Sequence, residues 1–426
     1  MIKKILIANR GEIAVRIIRA SKEMGIQTVA VYSEPDRTSL HVLKADEAYC
    51  IGSAPSSESY LNIKSILKVI IKANVDAVHP GYGFLSENKD FAKCINDLNI
   101  IWIGPSAEAI NMMGDKIAAR KLAVKVGAPI IPGFQKSMEN ITEYRKVAKK
   151  IGYPLIIKAA GGGGGKGMRI IKTENELEDS ISRTKSEANN AFSDNRIYIE
   201  KYLESPHHIE IQIFADNNGN IVSLGERECS IQRRYQKIIE ETPSPSINTK
   251  IRKELSDIAV KITQACNYVG AGTIEFLVDK NNDYYFLEMN TRLQVEHPIT
   301  EMTTGIDLVK EQISVAMGNS LSFTKNNISL KGHAIECRIY AEDGFNDFIP
   351  STGLINAMIT PSGLGVRLDE GIYIGQQVTP YYDPLLGKLI VWGDSRKIAI
   401  KRMIRALEEF HISGIKSSIP ISILII

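Results

Sequence analysis

The chain has 426 residues, 44% of them hydrophobic, with 52 Lys and Arg against 49 Asp and Glu and a formal net charge of +3. So even a balance argues against nucleic acid as a partner, the length calls for two or three domains, and no apolar run approaches the roughly 18 residues that a membrane helix needs. Five scattered cysteines, Cys50, Cys94, Cys229, Cys266 and Cys337, include no CxxC pair, which argues against structural zinc or a disulfide framework and for a reducing compartment, the cytoplasm.

The opening MIKKILIANR has a short apolar run between charges and no small-residue cleavage site, so it reads as a first strand and not as a signal peptide. Strand patterns at 5–8, 28–32 and 77–79 alternate with helical ones such as 12–24, which predicts an α/β domain with a doubly wound parallel sheet over 1–113. Two turn clusters, Asn9-Arg10-Gly11-Glu12 and His79-Pro80-Gly81-Tyr82-Gly83, follow strands, where ligands gather in such sheets; plain turn chemistry is the alternative. A helical link over 114–130 carries Lys116 and ends at Gly127-Ala128-Pro129.

A lid domain is expected over 131–203. Its apolar strand ends at Lys158 and feeds five glycines, Gly161 to Gly165, before a second strand pattern at 168–170. A loop without side chains can close its backbone N–H groups on phosphate oxygens, and Lys158 and Lys116 can add positive charge. The remainder, 204–426, alternates strands and helices, and Gly272 to Asn290 reads as a hairpin. With a four-residue loop over 280–283, Asp279 pairs with Tyr284, and counting back sets Glu275 opposite Glu288, their Cβ atoms about 5 Å apart. Asn290 shares that face. The face has no balancing Lys or Arg of its own, so a cation is expected between the carboxylates, and oxygen ligands beside phosphates suit magnesium. A hairpin turning its charges to water is the plainer alternative. Beyond it, Arg292, Gln294 and Glu296 alternate on one side, a guanidinium for a planar anion and a carboxylate for a proton; a salt bridge between Arg292 and Glu296 is the alternative there.

The stretches ANRGEIAVR, HPGYGFLSEN, KAAGGGGGKGMR, ERECSIQRR, GAGTIEF, EMNTRLQVEHP and CRIYAED closely resemble biotin carboxylase, over essentially the whole chain. The resemblance implies an ATP-grasp fold: the parallel-sheet domain, a glycine-flap lid and a C-terminal mixed α/β domain. It implies a ligase that phosphorylates bicarbonate with ATP to carboxyphosphate and N-carboxylates biotin, the first half-reaction of acetyl-CoA carboxylase in fatty acid synthesis. Carried over by position, Lys116, Lys158, Gly164 and Gly165 resemble phosphate contacts. Glu200, Lys201 and Leu203 resemble the adenine hinge, and His208 and Tyr235 stand at further nucleotide contacts. Glu275, Glu288 and Asn290 match ligands of Mg2+ or Mn2+, with two ions expected. Lys237, Arg292 and Val295 resemble the bicarbonate site, Glu296 its base, and Arg338 the group that steadies the biotin enolate, while Cys229 is expected to be a packed thiol.

No Met-Lys-Met biotinylation motif occurs, so biotin is expected on a separate carrier protein, with carboxyltransferase subunits as further partners. A homodimer is implied too, with Arg19, Glu23 and Arg367 where the family places interface charges. Two features depart from the pattern: Tyr235 stands where the family often has histidine, and the chain stops at Ser422-Ile423-Leu424-Ile425-Ile426, where relatives continue, which reads as a shortened last domain. Another carboxylate–amine ligase of the same fold, or a nucleotide-binding subunit without catalysis, is the rival expectation.

Overall fold

The computed structural model describes residues 1–134, 140–160, 168–192 and 194–426. In its first part the strands Glu47–Gly52, Gln27–Ser33, Lys4–Ile7, Ala77–His79 and Ile101–Trp102 lie side by side in that order, each neighbouring pair parallel. Parallel strands need crossovers, and runs such as the fully buried Ile5-Leu6-Ile7 suit a sheet covered on both faces. Strand order reverses between Lys4–Ile7 and Ala77–His79, so a crevice opens beyond their carboxyl ends. Asn9 closes it from below, its Nδ2 donating to the carbonyls of Pro80 and Tyr82 at 2.7 Å each. Gly81 allows this approach: at φ +64° a side chain would be strained, and its Cβ would lie 3.0 Å from Asn9 Nδ2.

The helix Gly11–Glu23 buries Ile13, Ala14, Ile17 and Ile18 as an amphipathic helix should, yet Glu12 and Arg16 are also buried. Its second face meets the rest of the chain, where Arg16 pairs with Glu301 at 3.0 Å and Asp307 at 2.7 Å.

A four-stranded sheet follows, in the order Gly133–Phe134, Ile197–Lys201, Leu155–Ala159, Met168–Ile171. Its apolar face, with Leu155, Ile157, Ile171 and Ile199, packs with Tyr144, Ala148 and Leu177 of the helices Ile141–Ile151 and Leu177–Phe192. The two strands flanking the glycine run pair antiparallel, Ile156 opposite Ile170. Gly164 and Gly165 themselves lie outside the described residues.

The largest sheet has eight strands, in the order Tyr284–Asn290, Gly270–Val278, His207–Ala215, Ile221–Arg233, Gln236–Thr242, His333–Tyr340, Leu385–Gly393, Val366–Glu370, antiparallel throughout. Period-two alternation sorts its side chains. In His207–Ala215, Ile209, Ile211 and Ile213 face the buried side of the helix Thr249–Ala265, which leaves His208, Glu210 and Gln212 on the other face. At the far end the helix Arg396–Glu409 covers the sheet through Ala399, Met403 and Leu407. Among the described residues no helix is long and apolar enough to cross a membrane.

Candidate functional site

The polar face of the large sheet carries a cross-strand row. Glu288 is registered opposite Glu275, Glu275 opposite Glu210, and Glu210 opposite Arg227. Directly opposed residues share a face, so three carboxylates stand side by side. The expected pairing of Glu275 with Glu288 is present, but the route to it differs. Tyr284 pairs with Val278, not Asp279, and the one-residue offset is undone by an irregularity at Leu287, between the Phe276–Phe286 and Glu275–Glu288 pairs. Asp279 instead caps the turn, its Oδ1 accepting from the amides of Asn281 and Asp283 at 2.8 and 2.9 Å.

The expectation that this face lacks balancing cations is also corrected: they arrive from other elements. Lys237 Nζ donates to Glu210 at 2.5 Å, Glu275 at 2.9 Å and Glu296 at 2.7 Å. His208 Nε2 lies 2.8 Å from Glu275 Oε2 while its Nδ1 receives Gln232 Nε2 at 3.0 Å. Lys116 Nζ lies 2.8 Å from Glu288. Burial alone would raise the Glu275 carboxyl and lower the Lys237 ammonium; Lys237 and His208 reverse the first, the three carboxylates reverse the second, and both groups stay charged. Lys116 is likewise held charged against burial by Glu288.

Residues 291–296 form neither helix nor strand, so Arg292, Gln294 and Glu296 do not alternate as on a strand. The Arg292–Glu296 salt bridge does not form either: Arg292 Nε donates to Glu87 at 2.8 Å, and its Nη1 to Gln294 Oε1 at 2.9 Å. Glu296, fully buried ahead of the helix His297–Thr304, accepts from Lys237 and, at 3.0 Å, from Arg338 Nη2. Burial would raise its carboxyl, but Lys237 and Arg338 hold it well below the usual carboxylate range. Asn290 Nδ2 donates to Glu275 at 2.7 Å, and its Oδ1 receives Arg292 Nη2 at 3.2 Å.

Toward the lid, Lys158 is buried and paired with Glu200, whose other oxygen takes Arg120 Nη1 at 2.6 Å. The Glu200 side chain is thereby committed to two cations. Lys201 Nζ donates to the carbonyls of Gly152 and Tyr153 at 3.0 and 2.9 Å, which fastens that strand end. Tyr235 shares a turn with Arg234, both at positive φ, 66° and 49°, and is half exposed. Cys229 is fully buried, and burial followed by Glu210 pushes its thiol well above the ordinary range, as a packed thiol requires.

Two cavities meet at this place. One of about 460 Å3 is lined by Lys116, Lys158, Glu200, Lys201, Leu203, His208, Tyr235, Lys237, Glu275, Glu288 and Asn290. The other, about 500 Å3, opens at the crevice of the parallel sheet between Arg10, Tyr82 and Tyr382. Arg292, Val295, Arg338, Tyr340 and Asp383 line both. Of the expected site residues that are described, Glu296 alone lines neither, lying behind Lys237 and Arg338. Sequence reasoning missed Glu87, Arg120, Glu210 and Arg227, none of which carries a local pattern. Arg227 is fully buried, donating to Glu210, to Gln212 at 2.6 Å, to Thr300 at 3.0 Å and to Thr273 at 3.1 Å.

Beneath Arg338 lies Glu336, fully buried, with neither carboxylate oxygen hydrogen-bonded in the structure. Burial raises it well above the usual range despite Lys388, and Glu240, its partner in the ladder, pushes the same way. A carboxyl raised on folding favours the native state below its unfolded pKa, and that advantage is lost as pH rises toward the folded one. Glu336→Gln should therefore gain stability over the parent with rising pH, by up to about 1.4 kcal/mol per unit above pH ~4.5. Urea unfolding of both chains at pH 6 and 8.5 measures this, and parallel curves would show Glu336 to be ionised in the native state.

Residues 1–110 match the model for "Biotin carboxylase, N-terminal domain", 115–324 that for "Carbamoyl-phosphate synthase L chain, ATP binding domain", and 336–426 that for "Biotin carboxylase C-terminal domain". Biotin carboxylase 1 of Bacillus subtilis is 55% identical, covering 99% of this chain and 94% of that protein. The crystal structure of a biotin carboxylase complex with β,γ-ATP from Campylobacter jejuni superposes with a TM-score of 0.97 at 49% identity, over 100% of this chain and 95% of that one. The biotin carboxylase domain dimer of 2-oxoglutarate carboxylase from Hydrogenobacter thermophilus, in complex with MgADP, ADP and bicarbonate, gives 0.97 at 46%, over 100% and 94%. With these matches along its full length, the chain belongs to the biotin carboxylase family.

Proposed function

We propose that this chain binds ATP in the cavity lined by Lys116, Lys158, Glu275 and Glu288, phosphorylates bicarbonate there, and carboxylates biotin that enters from the crevice. The observation that carries this reading is the shared wall: Arg292, Val295 and Arg338 border both cavities, so a carboxyl group activated on one side is within reach of an acceptor on the other. The division into 1–113, 114–130, 131–203 and 204–426 belongs to the same proposal, supported by each of the three main sheets falling inside one of these ranges.

Lys116 and Lys158 face the nucleotide cavity with charges that phosphate oxygens can take over from Glu288 and Glu200. Glu200, Lys201 and Leu203 border it at the adenine end, with His208 and Tyr235 alongside; Gly164 and Gly165 would cover the phosphates. The residues fit a divalent ion by their chemistry: Glu275, Glu288 and Asn290 line one cavity and carry side-chain oxygens, the donors a hard cation prefers. Mg2+ or Mn2+ held there, two ions in the full reading, would offset the charge of the phosphates during transfer.

Lys237, Arg292 and the Val295 backbone hold bicarbonate, and Glu296 accepts its proton. Lys237 and Arg338, the cations that hold the Glu296 carboxyl low, also lower the pKa of bound bicarbonate, which favours the transfer. Bicarbonate oxygen then attacks the γ-phosphorus and ADP leaves, giving carboxyphosphate, which breaks to carbon dioxide and phosphate. The released phosphate takes the ureido N–H proton, and Arg338 stabilises the negative oxygen of the resulting biotin enolate as its nitrogen attacks carbon dioxide.

The proposed partners are a biotin carrier and the carboxyltransferase subunits of an acetyl-CoA carboxylase, supported by the match to biotin carboxylases along the chain. Five unpaired thiols support the cytoplasm as its compartment. A homodimer through Arg19, Glu23 and Arg367 belongs to the same proposal. Within one chain Arg367 is held by Glu301 and Asp369 at 2.7 Å each, and Glu23 by Lys310 at 2.5 Å. ADP release should require bicarbonate and rise when free biotin is added, with label from bicarbonate appearing in biotin. ADP release that ignores bicarbonate and biotin but answers to an amine would assign the chain to another ligase of this fold.

A further inference from the structure

Residues 291–296 carry Arg292, Val295 and Glu296 on a backbone that is neither helix nor strand, so no ladder of hydrogen bonds fixes it. Side-chain contacts align it instead: Leu293 is fully buried, Gln294 Nε2 donates to Glu275 at 3.2 Å, and each end is pinned. The far end is pinned by Lys388, fully buried, whose Nζ donates to the Val295 carbonyl at 2.9 Å and lies 3.2 Å from Glu12 of the helix Gly11–Glu23. The near end is held by one carboxylate from the parallel-sheet part of the chain. Glu87 Oε1 accepts from the Thr291 amide at 3.1 Å, and Glu87 Oε2 accepts from Arg292 Nε at 2.8 Å. One rigid group thus grips both the backbone and the guanidinium and leaves Nη1 and Nη2 turned toward Gln294 and Asn290.

We infer that Glu87 is a positioning residue for bicarbonate: it sets the direction of the Arg292 guanidinium, and through it the anion's approach to the γ-phosphate. With Lys388 holding the other end, slack released at Thr291 moves Arg292, while Lys116 and Lys158 stay held by Glu288 and Glu200. The inference rests on the reading of Arg292 as a bicarbonate contact. A purely structural Glu87 would do something else, because its side chain is 40% exposed and an exposed ion pair contributes about 0–1 kcal/mol to stability.

The experiment measures ADP release by the full chain at varied bicarbonate and varied ATP for Glu87→Ala, Glu87→Gln and Arg292→Gln. Glu87→Ala should lower kcat/KM for bicarbonate about 10- to 100-fold, the range an ångström of misplacement produces, with the KM for ATP and the melting temperature nearly unchanged. Glu87→Gln, which keeps one acceptor and the side-chain length, should recover part of the loss. Arg292→Gln separates the two readings. If it impairs bicarbonate use and Glu87→Ala does not, or if Glu87→Ala impairs ATP and bicarbonate alike, the positioning role is wrong and the site stands. If Arg292→Gln leaves bicarbonate kinetics unaltered, the site reading itself falls.

Discussion

Arg338→Ala should cut biotin carboxylation at least ~100-fold, the loss expected when one oxyanion donor is removed, while ATP binds nearly as before. Arg338 is almost fully buried, donates to Glu240 at 2.6 Å and to Glu296 at 3.0 Å, and reaches the wall shared by the two cavities. Although it borders the nucleotide cavity, its hydrogen bonds go to Glu240 and Glu296 and not to Lys116 or Lys158, so the phosphate contacts survive its removal. The truncation has a second effect that must be separated from the first. Glu240 and Glu296 would lose a buried cation, and breaking such a pair costs about 3–5 kcal/mol of stability. Arg338→Lys keeps a charge but not the fork that serves two carboxylates at once, so a poorly active yet well-folded lysine variant would isolate the catalytic contribution. Titration of ATP beside single-turnover transfer of labelled carboxyl to biotin measures both halves. Transfer retained within about threefold of the parent would remove Arg338 from the chemistry.

What could be read from the sequence and what could not divides along one physical line. The parallel sheet was legible because apolar strands alternate with amphipathic helices, and the crevice because Asn9 and Gly81 sit just past strand ends. Glu275 opposite Glu288 was legible because strand periodicity is local. The irregularity at Leu287 was not, and the count reached the right pair only because that extra residue cancels the shifted turn. The charge balance was missed for a different reason. Lys237 comes from a strand 38 residues before Glu275, and Lys116 from a helix 172 residues before Glu288, so one hairpin read alone looks bare of cations. Glu87 with Arg292 and Arg120 with Glu200 are joined across 205 and 80 residues. Such pairs exist only once separate sheets have docked, and no spacing announces them.

Glu288→Gln should lower turnover at least ~100-fold, since even a residue that only supports a metal ligand costs 10–100-fold when replaced. The substitution keeps shape and changes charge, and its consequences pull in opposite directions. A neutral amide at this position would weaken the oxygen set formed with Glu275 and Asn290, but it would also release Lys116 Nζ, now 2.8 Å from Glu288, to meet phosphate. ATP without a divalent ion should therefore bind the variant as well as the parent or better, while the dependence of rate on Mg2+ shifts to higher concentration. The Glu288 side chain is 28% exposed, at the cavity wall and not in a core, so the fold should tolerate the change. Rate against Mg2+ at saturating ATP, with nucleotide binding in the presence of a chelator, distinguishes the two effects. An unchanged Mg2+ dependence would take Glu288 out of the ligand set and leave it as the counter-ion of Lys116.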